Sequence, residues 1–129
     1  MDAVKRSKEI FEQEISELQK LSNKIGVEMN AVVEMIYACK GKLVIMGIGK
    51  TGIIGHKIAS SLASTGTPTI FINAAEAMHG DLGMIAKNDI VLLISNSGSS
   101  SEIINVIAPL KKIGSRLIAC NIHVNSGNF

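Results

Sequence analysis

Aromatic side chains and net charge are both scarce in this sequence. Aromatic residues make up 3% of its 129 residues, tryptophan is absent and the formal net charge is only +2. Proteins that bind nucleic acid usually carry a basic patch with interleaved aromatic residues, so we expect no nucleic-acid partner. No apolar run approaches the roughly 20 residues of a membrane span, and residues 1–6 lack the apolar core of a signal peptide. We therefore expect a cytoplasmic protein with no membrane partner.

Cysteine is scarce as well, since Cys39 and Cys120 are the only two. Their separation fits no metal-binding spacing, and each lies beside a predicted strand. We therefore expect two buried, reduced thiols and no metal ion.

Apolar side chains are abundant, at 47% of the sequence, and predict a well-buried globular chain. Their spacing of three to four residues predicts two helices, or one bent helix, over residues 3–37. Strands then alternate with helices: strands are predicted at 42–46, 69–73, 90–94 and 116–120, and helices at about 53–64, in part of 74–84, and up to 113. This alternation predicts an α/β fold, a three-layer sandwich around a parallel, doubly wound sheet.

The predicted elements divide the chain into an N-terminal helical segment, residues 1–38, and an α/β domain, residues 39–129. Residues 121–129 are rich in Asn, Ser and Gly and begin no helix, although another crossover is expected there. We therefore expect a domain that is incomplete at its C-terminal end.

The organising stretch is the aliphatic run of residues 90–94 followed by the serine loop, residues 95–101. A buried strand that ends in hydroxyl-rich residues and leads into a helix predicts an anion site, because the first N–H groups of a helix have no internal partner. One alternative is structural, since Ser99 and Glu102 fit a capping box. The serines of this loop and Asn96 together exceed what one cap needs, so the pattern favours phosphate.

A second loop follows the first predicted strand, and Gly47, Gly49 and Gly52 fit the dinucleotide fingerprint Gly-x-Gly-x-x-Gly. That fingerprint needs an acid at the tip of the second strand, where this sequence has Asn73, so we expect no dinucleotide and no other cofactor. A Walker A loop is excluded because it requires glycine at the position of Val44. With both nucleotide motifs excluded, the glycine loop fits either a packing turn or an anion-binding turn.

Both loops lie at the carboxyl edge of the predicted sheet, where open α/β sheets bind ligands. We expect a phosphorylated small molecule there. Hydroxyls would hold its phosphate, and Lys50 would lie near its reactive end; the hydroxyls are those of Thr51, Ser95, Ser97 and Ser100. His79 and Glu102 are each consistent with either a structural role or a catalytic one.

Four segments resemble the sugar isomerase (SIS) domain, and most closely the arabinose-5-phosphate isomerases. They are Gly47 to Gly52, Ser64-Thr65-Gly66-Thr67-Pro68, His79-Gly80-Asp81-Leu82-Gly83 and Ile94 to Glu102. The resemblance extends from about Glu9 to Cys120. It implies an SIS-type fold and the interconversion of arabinose 5-phosphate and ribulose 5-phosphate, which feeds the synthesis of Kdo for the lipopolysaccharide of the bacterial envelope.

The resemblance also implies roles for residues at matching positions. The catalytic positions are Lys50, His79 and Glu102, and the substrate-binding positions are Gly49, Thr51, Ser95, Asn96, Ser97 and Ser100. In an isomerisation through an enediol, Glu102 would serve as base, His79 would assist ring opening or the proton relay between oxygens, and Lys50 would stabilise the enediolate. The amphipathic stretch from Ile10 to Ile36 must bury its apolar face against the α/β domain or against a second subunit. Family sites are also completed across subunits, so we expect a homo-oligomer.

One departure from the family bears on activity. Family members continue beyond this sequence and supply a further Glu and His to the site, so we expect this chain alone to turn over slowly or not at all. Two alternatives stay open: a non-catalytic phosphosugar-binding module or regulatory subunit, and, less favoured, a dinucleotide-binding fragment.

Overall fold

The computed structural model describes residues 2–121, and these form two compact units, divided between residues 34 and 35. Two helices occupy the N-terminal region, α1 (Ala3–Lys24) and α2 (Glu28–Tyr37), so the alternative of one bent helix is excluded. Asp2 caps α1 by accepting a hydrogen bond from the backbone N–H of Lys5, at 3.0 Å. No helix among the described residues is long and apolar enough to cross a membrane.

A four-stranded parallel sheet forms the centre of the second unit, in the order β2-β1-β3-β4. Its strands are β1 (Leu43–Gly47), β2 (Thr69–Asn73), β3 (Ile90–Ser95) and β4 (Arg116–Asn121). The connections contain α3 (Gly49–Ser64), α4 (Ala74–Ala77), a 3₁₀ turn (Asp81–Met84) and α5 (Ser101–Ile113). The predicted α/β class and parallel sheet are confirmed.

Alternate side chains of the central strands fill two separate cores. Leu43 and Ile45 point to the face covered by α3, where Ala59 packs on them. Val44 and Met46 point to the opposite face, which α4 and α5 cover. The connections after β1 and β3 therefore lead to opposite faces, which makes the β1–β3 crevice the topological switch point, where open α/β sheets bind their ligands.

Asp89 ties three strands together at the opposite, amino-terminal edge. Its buried carboxylate accepts hydrogen bonds from Lys42 Nζ (2.6 Å), Lys42 N (2.9 Å) and Ala86 N (2.8 Å). Its backbone carbonyl accepts from Arg116 N at 3.3 Å. Burial by itself raises the pKa of Asp89, but the hydrogen bonds from Lys42 and from the backbone N–H groups outweigh it and hold the pKa below its usual value.

The expectation of two buried thiols is wrong for Cys120. Cys39 is half-buried, whereas Cys120 is exposed, and both are free. Cys120 lies on β4, which pairs only with β3 among residues 2–121, so its side chain has fewer neighbours than one on a central strand. The predicted irregular segment, residues 121–129, lies outside the described residues from 122 onward, and Asn121 ends β4.

Candidate active site

In the glycine loop between β1 and α3, the backbone of Gly47 lies very close to the backbone of Thr51 and Gly52. A Cβ atom added at Gly47 would lie 2.9 Å from Gly52 N and from Thr51 O, so no larger residue fits without moving the first turn of α3. Gly49 has φ +56°, a left-handed conformation that glycine adopts without strain. Each glycine therefore meets a separate geometric need of this turn.

Thr51 holds the glycine loop together. Its Oγ1 donates to Ile48 O at 2.9 Å and accepts from Ile48 N at 3.3 Å. A hydroxyl has only one hydrogen, and Thr51 donates it to Ile48 O. Thr51 therefore stabilises the turn in this conformation. Its predicted contact with phosphate stays a prediction. Lys50, its neighbour on the first turn of α3, has an exposed side chain at the carboxyl edge.

The serine loop after β3 is held by one of its own buried hydroxyls. Ser95 is 3% exposed, and its Oγ accepts a hydrogen bond from Gly98 N at 3.0 Å and lies 3.3 Å from Ser100 Oγ. Gly98 takes φ +68°, which turns the chain between them. Ser95 therefore fixes the shape of the loop from within.

The outer rim of the loop consists of exposed polar side chains, including those of Asn96 and Ser97. Ser97 Oγ accepts from Ser99 N (3.2 Å) and from Ser99 Oγ (2.9 Å). These bonds occupy the lone pairs of Ser97 and leave its own hydrogen to donate outward.

The capping-box interpretation of the serine loop is wrong. The N-cap of α5 is Ser100 rather than Ser99, and its side chain makes no capping hydrogen bond. Ser99 is engaged with Ser97, and the carboxylate of Glu102 instead accepts from Ser101 Oγ at 3.0 Å. Within residues 2–121, the first N–H groups of α5 therefore have no side-chain acceptor, and they face the carboxyl edge with the positive end of the helix dipole.

The three predicted catalytic residues lie in three different connections of the sheet. Lys50 follows β1, His79 follows β2 and α4, and Glu102 follows β3. Lys50 and His79 are exposed and Glu102 is half-buried, and no hydrogen bond joins them to one another in the described part of the chain. No group of three or more His, Cys, Asp or Glu side chains within residues 2–121 is placed to hold a metal ion.

A cleft of about 380 Å³ lies on the other side of the glycine loop, between α3 and β2. We call it the α3–β2 cleft; its lining residues are Gly49, Gly52, Ile53, His56, Phe71 and Asn73. His56 and Asn73 were not predicted as site residues. The spacing gives one signal, because His56 lies four residues after Gly52 and therefore on the same face of α3.

The comparisons with known proteins agree on one family. A sequence model of the SIS domain matches residues 35–126. The chain is 44% identical over 126 residues to a probable arabinose 5-phosphate isomerase of Haemophilus influenzae. It is 49% identical over 96 residues to arabinose 5-phosphate isomerase KdsD of Pseudomonas aeruginosa. These two matches include 98% and 74% of this chain, but only 37% and 29% of the length of the two relatives.

Solved structures resemble the fold closely. The E. coli CFT073 protein c3406 in complex with arabinose 5-phosphate has a TM-score of 0.85 and 39% identity, over 98% of this chain and 69% of that one. A putative sugar-phosphate isomerase from Listeria monocytogenes has a TM-score of 0.86 and 31% identity, over 97% of this chain and 68% of that one.

Proposed function

The chain belongs to the SIS domain family, and from that premise we propose that its β1–β3 crevice binds a pentose 5-phosphate by the phosphate group. The observation that carries the proposal is the N-terminus of α5, which has no side-chain cap and directly follows the loop that carries the hydroxyls of Ser97 and Ser100. N–H groups, hydroxyl donors and the helix dipole together favour a phosphate dianion.

We extend the proposal to aldose–ketose isomerisation of arabinose 5-phosphate in the cytoplasm, as a step toward Kdo and lipopolysaccharide. Its support is the naming of the curated relatives and the presence of arabinose 5-phosphate in the E. coli complex. Glu102 is the base, Lys50 stabilises the enediolate, and His79 moves protons between the sugar oxygens. The division into residues 1–38 and 39–129 also stays a proposal.

Replacing Ser97 with alanine tests the phosphate site. Ser97 is exposed and has a free hydrogen to donate, so Ser97→Ala is expected to weaken arabinose 5-phosphate binding about 3- to 10-fold, the usual effect of one lost hydrogen bond. Isothermal calorimetry measures the change. The matched control is Ser60→Ala on the exposed side of α3; equal affinities for both variants would contradict the proposal.

We also propose that the protein is a homo-oligomer. No residue of α1 is buried, yet the helix carries an apolar stripe whose members are 44–70% exposed: Ile10, Phe11, Ile15, Leu18 and Leu21. Ile53 and Ile54, near the start of α3, are 73% and 57% exposed. An exposed apolar stripe of this kind is typical of a protein interface.

Sedimentation velocity at micromolar concentration is expected to show a dimer or larger species. Replacing Ile15 and Leu18 together by glutamate is expected to shift the protein toward monomer, because charge cannot be buried unpaired in an apolar contact. Ser16→Glu, on the opposite side of α1, is the control and leaves the oligomer intact. A wild-type monomer would refute the interface.

A further inference from the structure

Ser99 lies in the middle of the serine loop but has no assigned role in the proposed phosphate site. Both of its donor groups, the backbone N–H and the side-chain hydroxyl, are directed to Ser97. We propose that Ser99 is a positioning residue, which orients the hydroxyl of Ser97 for donation to phosphate and does not itself touch the ligand. The inference rests on the proposed function, since it takes Ser97 to be a phosphate ligand.

The turn at Gly98 brings the two side chains together. Gly98 has φ +68°, a left-handed conformation that glycine adopts without strain, and its N–H donates to the buried Ser95 Oγ at 3.0 Å. Across this anchored turn, Ser99 Oγ lies 2.9 Å and Ser99 N lies 3.2 Å from Ser97 Oγ. The loop therefore presents two donors from Ser99 to a single oxygen atom of Ser97.

These two bonds determine what Ser97 can still offer to a ligand. A serine hydroxyl has one hydrogen and two lone pairs. Because Ser99 N and Ser99 Oγ occupy both lone pairs, the hydrogen is the only group that remains, and no acceptor for it is present within residues 2–121. A phosphate dianion offers acceptor oxygens only, so it matches a hydroxyl that can only donate.

Donation by Ser99 also strengthens the bond that Ser97 makes. In a chain of hydrogen bonds each bond polarises the next, by about 10–30% per bond. Ser99 Oγ, Ser97 Oγ and a phosphate oxygen form such a chain, in which each hydroxyl hydrogen points toward the anion. Without the hydroxyl of Ser99, one lone pair of Ser97 becomes free, and its hydrogen is no longer directed to the ligand.

Removing the hydroxyl in Ser99→Ala tests the inference, and Ser99→Thr keeps a hydroxyl at the same position. Calorimetry with arabinose 5-phosphate compares these variants with the wild type, with Ser97→Ala and with the double variant that carries both alanines. Ser60→Ala serves again as the control, and thermal melting checks that each variant folds.

Ser99→Ala is expected to weaken binding about threefold, and Ser99→Thr to bind within about 1.5-fold of the wild type. The double variant is expected to bind as Ser97→Ala does, because Ser99 acts on the ligand only through Ser97. A residue that merely shapes the loop gives another result, since Ser99→Ala then weakens binding equally with and without the hydroxyl of Ser97.

That equal loss overturns the inference, and so does wild-type affinity in Ser99→Ala or a Ser99→Thr protein that binds no better than Ser99→Ala. The proposed function fails separately, when Ser97→Ala binds arabinose 5-phosphate as tightly as the wild type. A loss in Ser97→Ala together with wild-type affinity in Ser99→Ala refutes the positioning role alone. A wild type that does not bind arabinose 5-phosphate overturns both.

Discussion

Replacing Glu102 with glutamine is expected to lower the rate of arabinose 5-phosphate isomerisation about 10²- to 10⁴-fold, the usual effect of removing a general base. The reaction moves a proton between neighbouring carbons through an enediol, and an amide cannot accept that proton. Glutamine keeps an oxygen that can accept the hydrogen bond from Ser101, so the first turn of α5 stays in place. We therefore expect kcat to fall while the affinity for arabinose 5-phosphate changes by less than about threefold.

Glu76→Gln provides the matched control, because it removes another carboxylate that follows a strand at the same edge of the sheet. Conversion to ribulose 5-phosphate is measured for the wild type and both variants under saturating substrate. A Glu102→Gln protein with near wild-type kcat would show that the base lies elsewhere. A wild-type protein that binds arabinose 5-phosphate without converting it would favour the non-catalytic phosphosugar-binding module.

The strands could be predicted closely because buried strands of a parallel sheet form continuous aliphatic runs. The prediction for β2 has the observed bounds, Thr69–Asn73, and β3 differs only by the addition of Ser95. The start of α3 was predicted near residue 53 and lies at Gly49. Glycine is a poor helix former, so the sequence pattern did not indicate a first turn that Thr51 fixes by its bonds to Ile48.

The candidate site was predictable at the level of loops but not of individual hydrogen bonds. Parallel strands bring their carboxyl ends to one edge, so the meeting of the glycine and serine loops follows from topology. Which serine caps α5 depends on side-chain rotamers, and here Ser99 bonds to Ser97 instead of capping. Asn73 was considered only as a missing acid, because its part in the α3–β2 cleft depends on packing between α3 and β2.

The geometry of the site depends on contacts at the far end of the sheet. Asp89 connects Lys42, before β1, with the start of β3, and its carbonyl accepts from Arg116 at the start of β4. These bonds fix how far β1 extends relative to β3, and therefore the relative height of the two loops that follow them. A one-residue slip would reverse the faces of every side chain in the strand.

Replacing Asp89 with asparagine is therefore expected to destabilise the fold by about 2–4 kcal/mol at neutral pH, because the new NH₂ group faces donors and leaves the partly buried Lys42 ammonium unpaired. The free energy of unfolding is measured in urea. The effect depends on pH, since the pKa of Asp89 is lower in the folded protein than in the unfolded chain. The carboxylate stabilises the fold fully above the unfolded pKa of about 3.9, and this contribution is lost as the pH falls through the folded pKa.

Glu17→Gln is the control for this experiment, because Glu17 and Lys20 form an ion pair on the exposed surface of α1. Hydrogen bonding by Lys20 lowers the pKa of Glu17, but solvent screens the pair, so no measurable loss of stability is expected. The difference between wild type and Asp89→Asn should shrink on going from about pH 7 to about pH 3, below the unfolded pKa. A difference that stays constant over that range would show that packing around residue 89, rather than its charge, stabilises the amino-terminal edge of the sheet.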